Sequence, residues 1–192
     1  HQNDIDVPAP LLAALAGEPA DDTRRRAVLR DAIQTPPRNE AEMAMQDRAR
    51  LKLAAHAIHS GDFDSARDML RQVGTASPVA IDAGLLLAES WRLQGQADQA
   101  VAWFLRLGRH FSDHARALGG VLEAAATLEQ AQQNGEAAAL YSEVVQRATV
   151  VVETLQQLPT EPQARMDAVL SRQGTLSPAL RQQITHALIQ HD

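Results

Sequence analysis

Cysteine is absent from the 192-residue chain. Its absence excludes disulfide bonds, catalytic thiolates and zinc sites built on thiolate ligands. Because a chain without cysteine is compatible with a bacterial envelope, we expect an exported, periplasmic protein, with a cytoplasmic location as the alternative. The chain begins at His1 and continues as a polar stretch, HQNDIDVPAP, which either removal of a signal peptide or an artificial start would produce.

Aromatic residues are scarce, at 3% of the chain. Strands favour aromatic and β-branched side chains, whereas this sequence is dense in Ala, Leu, Gln, Glu and Arg, which favour helices. We therefore predict an all-α protein of about ten helices. With 192 residues, 45% of them apolar, the chain is long enough to form one ordinary domain around a buried core.

Long apolar runs and basic clusters are also missing. No run approaches the roughly 20 residues that span a bilayer, so we expect no integral membrane segment. The formal net charge is -6 and the basic residues are dispersed among acids, which disfavours nucleic acid as a partner. The densest basic run, residues 24–26 with Arg30, indicates either a solvated helix face or a contact for an acidic partner.

One sequence pattern occurs twice. GDFDSARDML begins at Gly61, and GQADQAVAWF begins at Gly95, 34 residues later. Ala66 and Ala100 keep the same offset. An offset shared by several positions indicates an internal repeat, here a pair of helices joined by a tight turn.

The repeated residues resemble the tetratricopeptide repeat family, whose unit of about 34 residues is a helix, a turn and an antiparallel helix. In residues 47–80 the matching positions are Leu53, Ala54, Gly61, Ala66, Leu70 and Pro78. In residues 81–114 they are Leu87, Ala88, Trp91, Gly95, Ala100 and Phe104. Ala57 and Ser112 depart from the pattern, at an aromatic site and at a terminal proline. The resemblance covers about residues 40–148, with a third, irregular repeat that turns at Gly135, and it implies a right-handed α-solenoid.

The repeats divide the chain into three parts. Residues 1–37 form an N-terminal arm or capping helices, because Pro36 and Pro37 stop the helix that precedes them. Residues 38–158 form the tetratricopeptide-like repeat body, and residues 159–192 form C-terminal capping helices. The eighth predicted helix, ALYSEVVQRATVVVETLQQL, has apolar residues at nearly heptad spacing, which indicates either a core or capping helix or a coiled-coil contact in a homo-oligomer.

The segment HFSDH is the nearest approach to a metal-binding motif. His110 and His114 stand four residues apart, a spacing that lets two ligands share one helix face. However, the segment is the predicted turn between two repeats, with Ser112 or Asp113 as the cap of the following helix. We therefore predict a turn here and no metal site.

Other candidates for chemistry are equally incomplete. His56 and His59 share a helix face but lack a carboxylate as third ligand at helical spacing. Asp62 and Asp64 begin like a calcium loop, whose remaining ligands are missing, and the stretch is needed as a turn and helix start. No phosphate-binding loop or nucleophile motif is found. We expect no metal, no cofactor and no enzymatic activity.

The resemblance also implies a binding surface, because in this family the first helix of each repeat lines a concave groove. The residues that it places there are Arg48, Leu51, Ala55, Ile58, His59, Asp82, Leu85, Glu89, Arg92 and Leu93. The family's clamp for a C-terminal carboxylate is not matched, because Leu51 and Ala55 replace its basic and amide members.

Such a groove implies a scaffold or adaptor that binds an extended peptide or an amphipathic helix of a protein partner, in a bacterial envelope or secretion assembly. Two alternatives remain. The groove is filled by the protein's own N-terminal arm or last helix, or the protein has a structural role through self-association.

Overall fold

Every regular element that the structure describes is an α-helix. The computed structural model describes residues 9–16, 22–112 and 114–157. In chain order the helices are α1 (Ala9–Ala16), α2 (Asp22–Gln34), α3 (Glu40–His59), α4 (Phe63–Arg71), α5 (Ala80–Leu93), α6 (Ala97–His110), α7 (Ala115–Gln130) and α8 (Asn134–Gln156). The all-α prediction is confirmed, and the ninth and tenth predicted helices lie outside the described residues.

The helices belong to two compact lobes, one ending at Trp103 and the other beginning at Phe104. In the N-terminal lobe each helix from α1 to α5 packs on the next, and α3 also contacts α5 directly. In the C-terminal lobe α7 packs along α8. Consecutive packing of this kind is consistent with a tetratricopeptide-like solenoid. The domain boundaries predicted after residues 37 and 158 stay predictions.

Two clusters of apolar side chains form the core of the N-terminal lobe. The first joins α3, α4 and α5 through Ala54, Ala66, Leu70, Ala83 and Leu87. The second attaches α1 and α2 to α3 through Ala14, Leu29, Ala49 and Leu53. Burial of apolar surface is the main favourable term in folding. Thus the described part of the predicted N-terminal arm packs against the first repeat helix.

The first two hairpins turn through the same backbone conformation. Gly61 and Gly95 have φ angles of 81° and 78°, in the left-handed region that glycine adopts without steric cost. In each turn the amide that follows the glycine donates a hydrogen bond to the carbonyl five residues earlier, at 2.8 Å in the first turn and 2.9 Å in the second. This bond satisfies a carbonyl that the helix end would leave without a partner.

The third hairpin makes the same turn without a glycine. Gln132 has a φ of 63°, and the amide of Gln133 donates to the carbonyl of Leu128 at 2.9 Å. The prediction that placed this turn at Gly135 is wrong, because Gly135 lies in the first turn of α8. Because Gln132, a residue with a side chain, adopts the left-handed conformation, the prediction based on glycine placed the turn three residues after its true position.

Counted from the turn residue, the three hairpins share one register. Seven residues before the turn stand Ala54, Ala88 and Ala125, each 0% exposed. Five residues after it stand Ala66, Ala100 and Ala137, at most 2% exposed. In the first hairpin the two alanines belong to the same core cluster. The third hairpin is therefore a repeat with the same pattern of buried alanines, and only its spacing from the second, 37 residues from turn to turn, is irregular.

A polar contact joins the two helices of the third hairpin near its turn. The hydroxyl of Tyr141 donates a hydrogen bond to Oε2 of Glu129 at 2.9 Å. This bond stabilises the protonated phenol and raises the pKa of Tyr141 above its ordinary value of 10.0, with smaller contributions from burial and from the charges of Glu129 and Glu123. Tyr141 therefore links α8 to α7 as a neutral donor.

Replacing Gln132 with glycine is expected to raise the free energy of unfolding by about 0.5–1 kcal/mol. The left-handed conformation costs a non-glycine residue about 1–2 kcal/mol, of which the greater flexibility of glycine in the unfolded chain cancels a part. Urea denaturation followed by far-UV circular dichroism measures the change.

Gly135→Ala is the matched variant for this test. A β carbon on Gly135 meets open space, and alanine is the better helix former, so we expect the stability to stay the same or to increase. If Gly135→Ala lowered the stability and Gln132→Gly did not raise it, the turn would have to be assigned to Gly135 and not to Gln132.

Candidate partner-binding groove

Helix α3 forms one side of the predicted groove, and its start is fixed by side-chain caps. Asn39 Oδ1 accepts a hydrogen bond from the amide of Glu42 at 2.8 Å, and Glu42 Oε2 accepts one from the amide of Arg38 at 2.8 Å. These bonds satisfy amides that a helix start leaves without partners. The acidic first turn also complements the helix dipole. Local sequence therefore sets the register of α3.

A buried glutamine holds α2 against α3. Gln46, which is 6% exposed, donates through Nε2 to the carbonyl of Ala32 at 2.9 Å and to that of Thr35. Both acceptors lie where α2 ends ahead of the two prolines, so Gln46 replaces hydrogen bonds that the interrupted helix lacks. Gln46 thereby fixes the end of α2 against α3.

The predicted groove residues of α3 fall into two groups. Arg48, Ala55 and His59 are exposed. Leu51 and Ile58 are partly buried and pack against the cluster that joins α3, α4 and α5. Consequently the leucine and isoleucine form the edge of the core, and the accessible surface of α3 at these positions is mostly polar.

The predicted groove residues of α5 are less exposed, apart from Leu93 at 51%. Asp82, Leu85, Glu89 and Arg92 are all partly buried. Arg92 binds Glu89 through two hydrogen bonds, from Nε at 2.7 Å and from Nη2 at 2.6 Å. Helix α5 therefore presents an Arg92–Glu89 ion pair next to the exposed Leu93.

A surface pocket adjoins the predicted groove on its α2 side. Its volume is 280 Å³, and its lining residues are Arg25, Leu29, Lys52, Ala55 and His56. Only Ala55 was among the predicted groove residues. The signal that could have found Lys52 is its spacing, since positions 48, 52, 55 and 59 recur at steps of three and four residues and share one face of α3.

A larger cavity of 400 Å³ lies among α1, α2 and α3. Leu11, Val28 and Met45 provide apolar surface, and Gln46 and Glu42 also reach it. The two polar side chains already hold the helix ends described above. We therefore regard the cavity as a gap beside the arm and not as a separate site.

A buried arginine positions α5 relative to α4. Arg67, which is 2% exposed, places its guanidinium 3.8 Å from the centre of the Trp91 ring. Its Nη1 donates to Gln94 Oε1 at 2.9 Å, and its Nη2 pairs with Asp64. The stacked cation and its hydrogen bonds fix the C-terminal end of α5, where Arg92 and Leu93 are located.

Phe111 and Ser112 of the HFSDH segment form a turn, as predicted, but the cap of the following helix differs. His110 ends α6, and His114 is the cap of α7 because its Nδ1 accepts a hydrogen bond from the amide of Arg116 at 3.2 Å. The prediction of Ser112 as the cap is wrong, because a ring nitrogen takes the place of the usual oxygen acceptor; Asp113, the alternative cap, lies outside the described residues. Among residues 9–16, 22–112 and 114–157 no three metal-binding side chains are grouped.

Asp62 lies at a helix start, as the sequence indicated. It caps α4, accepting a hydrogen bond on Oδ1 from the amide of Ser65 at 3.2 Å. Its carboxylate therefore serves the helix start that follows the Gly61 turn.

The family resemblance is confirmed by comparison with known proteins. Residues 57–124 match the model of the tetratricopeptide repeat family. The match runs from the last turn of α3 into α7 and so covers the second repeat completely. No curated protein and no solved structure matches the chain.

The match indicates the general kind of partner. Tetratricopeptide repeats mediate interactions between proteins and typically catalyse no reaction. In the part of the chain that the structure describes, no helix combines the length and the apolar character needed to cross a bilayer.

Arg67→Ala is expected to lower the free energy of unfolding by about 2 kcal/mol, since it removes the contact with Trp91 and a buried hydrogen bond. Arg67→Lys should cost about 1 kcal/mol, because an ammonium keeps the charge but not the planar stack. Urea denaturation followed by tryptophan fluorescence measures both changes.

Arg71→Ala is the control on the same helix. Arg71 pairs with Asp68 at 3.1 Å on an exposed surface, where an ion pair contributes about 0.5 kcal/mol or less. If Arg67→Ala cost no more than Arg71→Ala, the proposed role of the buried arginine would be wrong.

Proposed function

We propose that this protein is a non-enzymatic adaptor that binds a segment of a protein partner along the first helices of its repeats. The observation that supports this proposal most strongly is the direct contact between α3 and α5. These are the first helices of two consecutive repeats, and the second of those repeats lies wholly within the family match. Their contact gives the continuous surface that a linear ligand needs.

The chemistry of this surface suits a mixed ligand. Leu93 is exposed and Leu85 is partly exposed on α5, whereas Arg48 and His59 are exposed on α3. An extended peptide or an amphipathic helix with apolar and charged side chains is recognised by such a combination. The described part of the arm packs on Ala49 and Leu53 and leaves Ala55 and His59 exposed, which supports an external ligand over a groove filled by α1 and α2.

The proposal extends to location. We place the adaptor in a bacterial envelope or secretion assembly, as an exported protein. The support is compositional, because a chain without cysteine is insensitive to the oxidising conditions of the periplasm.

Leu85→Asp and Arg92→Glu are each expected to reduce capture of the partner about tenfold or more in a pull-down. The first places a charge among leucines, and the second turns the Arg92–Glu89 pair into a like-charge repulsion. Separate periplasmic and cytosolic extracts serve as the source, and we expect the partner in the periplasmic one.

Arg71→Glu provides the control, because it makes the same charge change on α4, outside the predicted groove. Circular dichroism verifies that each variant is folded. Capture that survives both groove substitutions would contradict the groove, and capture from the cytosolic extract alone would contradict the location.

Self-association is a second candidate function, favoured by an exposed apolar surface on α8. Val145, Val150 and Val152 are 65%, 60% and 50% exposed. Val145 and Val152 are seven residues apart and therefore lie on one face of the helix. Apolar side chains in such a row are a common contact between helices of two chains.

Light scattering at increasing concentration tests this candidate. If α8 forms the contact, the wild-type protein gives the mass of a dimer or a larger assembly, and the Val145→Asp, Val152→Asp double variant gives that of a monomer. A wild-type monomer at the highest concentration would exclude self-association.

A further inference from the structure

We propose that the pocket between α2 and α3 is a docking site for an acidic side chain within a segment of the partner protein. The pocket is lined by Arg25, Leu29, Lys52, Ala55 and His56. The inference rests on the proposed adaptor function and adds to it the chemical character of the ligand.

The shape and lining of the pocket suit a glutamate or aspartate side chain. Ala55 is exposed and offers apolar surface to the methylene groups of such a side chain, while the fully buried Leu29 closes the pocket on its inner side. Arg25 and Lys52 reach the pocket from two different helices. A carboxylate there would meet cations from both sides, and charge-assisted hydrogen bonds of this kind are about twice as strong as neutral ones.

Lys52 is the cation available to a ligand. Within the part of the chain that the structure describes, the Lys52 ammonium takes part in no ion pair and no side-chain hydrogen bond. Arg25, by contrast, pairs with Asp22 through Nη1 at 3.1 Å, and the Asp22 side chain is 64% exposed. A partly desolvated ammonium without a counter-ion is stabilised by an anion that enters the pocket.

The charge around the pocket is opposite to that of the whole protein. Helix α2 contains four arginines and two aspartates, and residues 48–59 contain Arg48, Arg50 and Lys52 and no acid. Arg50 pairs with the preceding Asp47 at 3.0 Å, so the excess positive charge of this stretch comes from Arg48 and Lys52. The complete chain has a net charge of -6. On the neighbouring α5, Glu89 is already paired with Arg92. The region around α2 and the C-terminal half of α3 is therefore a local positive surface on an acidic protein.

This contrast favours an acidic peptide segment over a nucleic acid. Charges interact over about 8–10 Å at ordinary ionic strength, so a short acidic segment responds mainly to the local cations. A long polyanion would also meet the negative remainder of the protein, and nucleic acid binding needs a continuous basic stripe. Arg48, Lys52, His56 and His59 share a single face of α3, which matches one short segment lying along the helix.

The sequence provides a selective probe of the pocket. Lys52 is the only lysine of the chain, and the other 17 basic residues of the Lys and Arg total are arginines. Reductive methylation with ¹³C-formaldehyde keeps the positive charge and labels Lys52 together with the N-terminal amine, and the Lys52→Arg variant, which lacks the Lys52 signal, assigns the two NMR signals. The Lys52 signal then reports directly on the pocket in the folded protein.

The test titrates this signal with two short peptides, both acetylated and amidated so that neither has terminal charges. One alternates glutamate with leucine, and the other has glutamine at each glutamate position. We expect the glutamate peptide alone to shift the Lys52 signal. In fluorescence anisotropy, Lys52→Gln should weaken its binding about fivefold and Lys52→Arg should preserve it. Arg71→Gln, the matched loss of a cation on α4, should leave the affinity unchanged.

Three results would overturn the proposal. They are equal binding of the glutamine peptide, unchanged affinity in Lys52→Gln, and a single-stranded oligonucleotide that shifts the Lys52 signal more than the glutamate peptide does. The last would indicate a general polyanion surface. Both substitutions of Lys52 retain a long side chain, and circular dichroism checks that each variant is folded.

The outcomes separate this proposal from the adaptor function. If Leu85→Asp abolishes capture of the partner while Lys52→Gln leaves it unchanged, the result supports the groove and contradicts the acidic docking site. If the glutamate peptide binds through Lys52 but neither groove substitution affects capture, the result supports the docking pocket and contradicts the groove.

Discussion

Alanine at two positions of each hairpin is the constraint on which the helical arrangement depends. The six side chains, seven residues before and five residues after each turn, are 0–2% exposed. A methyl group lets neighbouring helix backbones approach closely, and a larger residue at such a site would overpack the core by about 1–3 kcal/mol. The groove that we propose uses other residues of α3 and α5, the first helices of two of these hairpins.

Buried polar side chains fix helix ends that the apolar core does not hold in place. Aromatic residues are only 3% of the chain, so few large rings are available to fix helix ends. Gln46 instead binds the carbonyls where α2 stops, and Arg67 stacks on Trp91 and binds Gln94 beside the end of α5. Both residues are buried and both lie beside the proposed binding surface. The position of that surface therefore depends on specific hydrogen bonds as well as on hydrophobic packing, and buried networks of this kind are sensitive to the loss of one member.

Sequence reasoning succeeded where one residue type has one physical role, and it failed where two types share a role. Glycine in the first two turns and the proline pair after α2 predicted the helix boundaries there, since no other residue fits those backbone conformations as well. The third turn was misplaced because Gln132 adopts the left-handed conformation while Gly135 occupies an ordinary helical site. His114 was missed as a cap because its ring nitrogen accepts a bond that oxygen usually accepts. The spacing within α3 places Lys52 on the same face as Arg48 and Ala55, but the pocket was missed because it also needs α2, whose packing against α3 cannot be read from that spacing.

The solitary lysine has a practical consequence for anyone who handles this protein. Amine-coupled biosensor chips, succinimidyl dyes and lysine-directed cross-linkers attach at few places on this chain, and one of them is the wall of the pocket beside the groove. Immobilisation through amines would hide part of the surface whose ligands are sought, and a failure to detect a partner would then follow from the attachment. Immobilisation through an added terminal tag instead leaves Lys52 and the pocket accessible to a ligand.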